Sequence, residues 1–91
     1  MADKIRCAHI LVEKLSLATE IHERITKGES FAKMAVQYSI DGTRKRGGDL
    51  GFFGRGMMVR EFEQAAFALD IGQVSPVVKT QFGYHIIKRL A

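Results

Sequence analysis

"RCAHILVEK", residues 6–14, is the stretch on which the fold turns. Alternation puts Ile5, Cys7, His9 and Leu11 on one face of a strand and Ala8, Ile10 and Val12 on the other. Both faces are largely apolar, so the strand over 5–13 is expected at the centre of its sheet, covered on both sides. His9 is the discordant residue. An imidazole costs free energy to bury unless both ring nitrogens find partners. The far end of the chain repeats the problem, because "FGYHIIKRL" (82–90) reads as a strand with His85 in its middle. If the two strands are neighbours, the rings come within hydrogen-bonding distance. One then donates and the other accepts, as neutral tautomers, which satisfies the burial. The alternative is a pair of structural core histidines with no further role. His22, among charged neighbours, is expected to be exposed.

Working outward, Ser16 is expected to cap a helix that turns Leu17, Ala18, Ile21 and Ile25 inward and is closed by Gly28. Ser30 caps a second, shorter helix burying Phe31, Ala35 and Tyr38. "SIDGTRKRGGDLG" (39–51) reads as loop by composition, and "FFGRG" (52–56) holds at most a very short strand. "VREFEQAAFAL" (59–69) is a third helix, with Val59, Phe62, Ala66 and Leu69 inward and Glu61 and Glu63 at its positive end. Val77–Lys79 reads as a strand, with Gly83 near the turn into the last one. The order β-α-α-β-α-β-β describes a small α+β sheet with helices over it.

Ninety-one residues make one domain, and 46% apolar with 26% charged residues is ordinary for a globular chain. A single cysteine excludes a disulfide framework, and three scattered histidines give no metal-ligand spacing, so neither metal nor cofactor is expected. No apolar run approaches the roughly 20 residues of a membrane span, and "MADKIRC" is not followed by a secretory h-region; cytoplasm is the expected location. The net charge of +4 is concentrated. Residues 31–60 hold Lys33, Arg44, Lys45, Arg46, Arg55 and Arg60 against Asp41 and Asp49, and the remainder of the chain balances. This is either a solvated loop or a positive rim for acidic partners, phosphate groups or anionic lipid. The glycine-rich "GGDLGFFGRG" (47–56) lacks phosphate-loop spacing, and the aromatics form no RNA-binding pattern, so no specific nucleic acid is expected. Cys7 shares a face with His9, which would allow a thiol nucleophile. A cysteine inside a strand is more simply a small hydrophobe.

"HILVEK" (9–14), "SIDGTRKRGGDLGFFGRGMMVREFEQAAFAL" (39–69) and "SPVVKTQFGYHIIKRL" (75–90) together resemble the parvulin peptidyl-prolyl cis/trans isomerases, in the family's order and over essentially the whole chain. The resemblance is to the small stand-alone prokaryotic members. It implies one parvulin-type (PpiC-like) domain over 1–91 and a four-stranded antiparallel sheet surrounded by helices. It also implies an isomerase of Xaa-Pro bonds that assists protein folding without a cofactor. Carried over by position, His9, Asp41 and His85 are the implied catalytic residues. Leu50, Met58 and Phe62 match the proline pocket, Phe82 its closing side chain, Leu11 its floor, and Thr80 a hydroxyl bonded to the histidine pair. One departure narrows the substrate. The phosphate-selecting branch has a long basic loop after the first strand, whereas here the connection is "EKLS" (13–16), so no strict phosphate requirement is expected. Expected partners are proline-containing polypeptides, with weak contact of Arg44, Lys45 and Arg46 to acidic partners or anionic membrane surfaces, and a monomeric state. The alternative is a non-catalytic proline-peptide binding or chaperone module on the same fold.

Overall fold

The strand read from residues 6–14 runs from Lys4 to Val12 (β1) and lies inside a four-stranded antiparallel sheet. The computed structural model describes residues 3–91, so the first two residues of the expected domain lie outside the described ones. Along the chain follow helix α1 (Leu15–Thr26), helix α2 (Phe31–Tyr38), a 3-10 turn (Gly42–Arg46), strand β2 (Asp49–Gly54), helix α3 (Arg60–Phe67), strand β3 (Val78–Thr80) and strand β4 (Gly83–Arg89). Sheet order is β2-β1-β4-β3. The first and last strands are therefore the two central ones, which is why the first reads as apolar on two faces.

Two cores lie on opposite faces of the sheet. Ala8, Ile10, Val12 and Ile86 pack against Ala18 and Ile21 of α1 and Phe31, Met34 and Ala35 of α2. Ile5, Cys7, Ile87 and Phe53 pack against Phe62 and Ala66 of α3 and against Leu69 just beyond it. Each fully buried Val, Leu, Ile, Phe or Met side chain among them is worth about 1.5–3 kcal/mol. That driving force fixes which face of β1 looks toward α3, and so which face carries His9.

Three local expectations are corrected. Ser16 does not cap α1; the helix starts two residues earlier, with Lys14 at its N-cap and no side-chain cap. The strand ends at Val12, and a two-residue connection starts the helix as soon as the chain leaves the sheet, ahead of the nearest hydroxyl. His22 is half-buried rather than exposed. The stretch 39–51 is only partly loop, since it contains the 3-10 turn and the first residues of β2. What concealed β2 is a bulge: Ala8 pairs with Asp49 and Arg6 with Phe52, so two steps on β1 face three on β2. Gly51 takes φ +73° there. The bulge brings Leu50 and Phe53, three residues apart, to the same α3-facing side. Arg6 grips both carboxylate oxygens of Asp49, which in turn accepts the Gly51 N–H at 2.8 Å. Ser30 caps α2 as expected, accepting from the Lys33 N–H at 3.2 Å.

Candidate active site

Register explains how two strand histidines meet. In the β1–β4 ladder Leu11 faces His85 and His9 faces Ile87, so His9 and His85 are diagonal neighbours on one face. Their rings lie 20° from parallel, with Nδ1 to Nδ1 at 3.0 Å, and both are about 95% buried. Phe62 of α3 stands edge-on over both, at 5.6 Å from His9 and 5.3 Å from His85. On the far side the Thr80 hydroxyl lies 2.7 Å from His85 Nε2 and accepts the Phe82 N–H at 3.2 Å.

Asp41 completes the row. Ser39 ends α2, and its Oγ accepts the N–H groups of Leu11 (3.1 Å) and Asp41 (3.3 Å). The Ile40 N–H donates to the Leu11 carbonyl, and the His9 N–H to that of Gly48. The loop 39–48 is thus stitched to β1 at both Leu11 and His9. Asp41 caps the 3-10 turn, Oδ2 accepting from the Thr43 N–H at 2.9 Å and from its hydroxyl at 2.5 Å. The same oxygen lies 3.3 Å from His9 Nε2. Partial burial pushes the Asp41 carboxyl up, but the Thr43 donors and His9 outweigh it and hold the group at about 2.

An ionised carboxylate accepts only, and this orders the whole row. With the His9 proton on Nε2, the nitrogen nearer Asp41, His9 Nδ1 is bare and accepts from His85 Nδ1–H. His85 Nε2 is then bare and accepts from the Thr80 hydroxyl. Both rings are neutral, in agreement with burial lowering the His9 pKa and pushing His85 down to about 4. The one loose joint is His9 Nε2, which sits off the hydrogen-bonding line to Asp41. Among the described residues it is the buried side-chain nitrogen or oxygen that lacks a well-formed hydrogen bond.

Above this row opens a cavity of about 350 Å³. Every site residue expected from the sequence except Thr80, which lies behind His85, lines it: His9, Leu11, Asp41 and His85 at the floor, Leu50, Met58 and Phe62 as walls, Phe82 at the rim. Phe82 is 57% exposed. Two lining residues were not foreseen, Met57 and Val59. Val59 reads as helix core and in fact caps α3, while Met57 lies in a loop with no periodicity to mark it. No lysine or arginine lines the cavity. Burial pushes the Cys7 thiol up to about 11, which leaves it a protonated core residue and removes the nucleophile reading. Among the described residues no cluster of potential ligands could hold a metal ion.

Comparison with known proteins matches residues 1–90 to the PPIC-type PPIASE domain. The chain belongs to the parvulin family of peptidyl-prolyl isomerases. The parvulin of Nitrosopumilus maritimus, solved in solution, is 52% identical across the whole of this chain and 99% of that one, with a TM-score of 0.89. The Pin protein of the psychrophilic archaeon Cenarchaeum symbiosum is 58% identical over 100% of this chain and 95% of that one, TM-score 0.87. Foldase protein PrsA of Geobacillus sp. (strain WCH70) is 59% identical over 93% of this chain but only 31% of its own length. This parvulin domain thus spans about a third of the curated relatives it matches.

Proposed function

We propose that this parvulin domain accelerates rotation about Xaa-Pro bonds in polypeptides, assisting their folding, with no strict demand for phosphate. The observation that carries the reading is the adjacency of an apolar cavity, walled by Leu50, Met58 and Phe62, to the ionised Asp41. An amide resists rotation by roughly 18–20 kcal/mol because its C–N bond has partial double-bond character. No bond has to break, and a thousandfold acceleration needs only about 4 kcal/mol of preference for the twisted state. The apolar walls hold the proline ring while the preceding residue turns. Planar resonance places negative charge on the carbonyl oxygen, and twisting removes it. A carboxylate facing that oxygen therefore disfavours the planar forms more than the twisted one. The histidines act as a buried floor rather than as acid and base, and Asp41 is held by Thr43, by Ser39 and by the backbone bonds of its loop to β1.

A phosphate clamp is not supported: the β1–α1 connection is only Glu13 and Lys14, and the cavity is free of cations. Arg44, Lys45 and Arg46 follow Asp41 on an exposed turn and supply a positive rim that attracts acidic partners or anionic membrane surfaces weakly. A cytoplasmic setting and a monomeric state are part of the proposal, tested by fractionation and by sedimentation. The central experiment is exchange NMR on a panel of Xaa-Pro peptides, phosphorylated and not. Acceleration of unphosphorylated peptides at micromolar protein is the expected result. Binding without acceleration would leave the non-catalytic module, and a response confined to phosphopeptides would overturn the substrate assignment.

A further inference from the structure

The connection between β2 and α3, residues 55–59, carries three of the cavity's lining side chains, Met57, Met58 and Val59. It is a poor support for a wall. Arg55, Gly56 and Met57 are exposed, Met57 by 65%, and Gly56 takes φ +86° with open space around it. Met58 and Val59 pack partly against the α3-side core, but the turn that leads into them is exposed and needs a support of its own.

We infer that Glu63 is a positioning residue for the proline pocket, its carboxylate bracing the methionine wall against α3. One oxygen accepts the Gly56 N–H at 2.5 Å, and the other lies 3.9 Å from the Arg55 guanidinium. That guanidinium in turn covers the Phe67 ring at 4.3 Å. Glu63 is a charged residue in the first turn of a helix, where a carboxylate ordinarily stays in water, yet its side chain is only 19% exposed. Its position matters as much as its partners. Phe62 and Glu63 are consecutive, about 100° apart around the helix. One side chain descends onto the histidine pair while the other reaches sideways to the loop. A single turn of α3 therefore carries one wall directly and fixes the opposite wall through Gly56, which sets the gap between Phe62 and Met58. The thioether of Met57, accepting the Gly54 N–H at 3.2 Å, is a second and weaker tie on the same loop.

This inference rests on the isomerase reading for its kinetic consequence. A wall that serves the planar and twisted states alike contributes uniform binding, so its loss raises KM and leaves kcat nearly unchanged. Glu63→Ala is expected to raise the Kd and KM for an Xaa-Pro peptide about fivefold or more, with kcat within about twofold. It should also shift and broaden the Met57 and Met58 methyl signals of the free protein. Glu63→Gln still accepts from Gly56 and should restore Kd to within about twofold of the parent. Glu63→Asp, one methylene too short to reach, should behave as the alanine variant and replaces it should the alanine variant not fold. Unchanged methyl signals and unchanged Kd in Glu63→Asp would overturn the inference. So would a Gln variant as impaired as Ala, or a fall in kcat at constant KM. The methyl signals are read without peptide, so they judge the brace even where no peptide is turned over, a result that would count against the isomerase reading instead.

Discussion

Each imidazole at the floor satisfies the other, so removing one strands its neighbour. His9→Ala and His85→Ala are each expected to cost about 1–3 kcal/mol, the penalty of one unsatisfied buried group. The double variant should lose less than the sum. Chemical denaturation of the four proteins checks this, and strict additivity would mean that the rings do not depend on one another. The same burial makes the protein acid-sensitive. The His85 pKa is pushed down to about 4 by burial and then by the adjacent His9, and that of His9 is lowered by burial against the opposing pull of Asp41. Below the ordinary value near 6.5 the unfolded chain takes up protons that the native rings refuse, so stability falls as pH drops from about 6.5 toward 4. His85 alone should cost about 2 kcal/mol between pH 7 and 5. Urea midpoints at the two pH values measure it, and His85→Gln should flatten the dependence. The histidine pair was legible because two mid-strand imidazoles pose one shared problem. Asp41 was not legible by chemistry, since a carboxylate in a glycine-rich loop looks solvated; only the family resemblance marked it. Met57 carried no signal at all.

Helices and central strands follow from periodicity, which is why β1, α2, α3 and β4 were found close to where they lie. Strand β2 was hidden by the bulge that makes it useful: its glycines read as loop, and alternation fails where Leu50 and Phe53 turn the same way. Within the same stretch Gly48 has a role that space and conformation both impose. It takes φ +86°, and a Cβ there would collide with the carbonyl oxygen of His9. Gly48→Ala should destabilise the fold by more than about 1 kcal/mol and push the Asp41 loop away from His9. Gly42, in the 3-10 turn, has ordinary backbone angles and nothing within 4 Å of a Cβ, so Gly42→Ala is the near-neutral control. Equal thermal midpoints for the two variants would contradict this account of the loop.

For the whole molecule, charge and catalysis are separable. Arg44, Lys45 and Arg46 are exposed and absent from the cavity lining, so under the proposed function their field is expected to act on encounter rather than on the twisted amide. Reversing Arg44 and Lys45 to glutamate should abolish the salt dependence of binding to peptides with glutamate before proline, while the catalysed rate at saturation stays constant. An unaltered salt dependence would make the turn a solvated one only. The neighbouring central strands have a consequence of another kind. The Arg6 N–H donates to the Ala91 carbonyl at 3.0 Å, and the Leu90 N–H to that of Arg6 at 2.7 Å, so the first residues of β1 lie one strand spacing from residues 90 and 91. Such a unit can be spliced into a surface loop of a larger host without forcing that loop open, or closed upon itself with a short linker. A circular permutant in which a glycine linker joins residue 91 to Asp3, reopened at exposed Gly72, should fold and keep its pocket, with unfolding free energy and peptide affinity as the measures. The geometry that buries two histidines at the centre of the sheet also sets the beginning of β1 beside the end of β4, and that adjacency is what would make the domain portable.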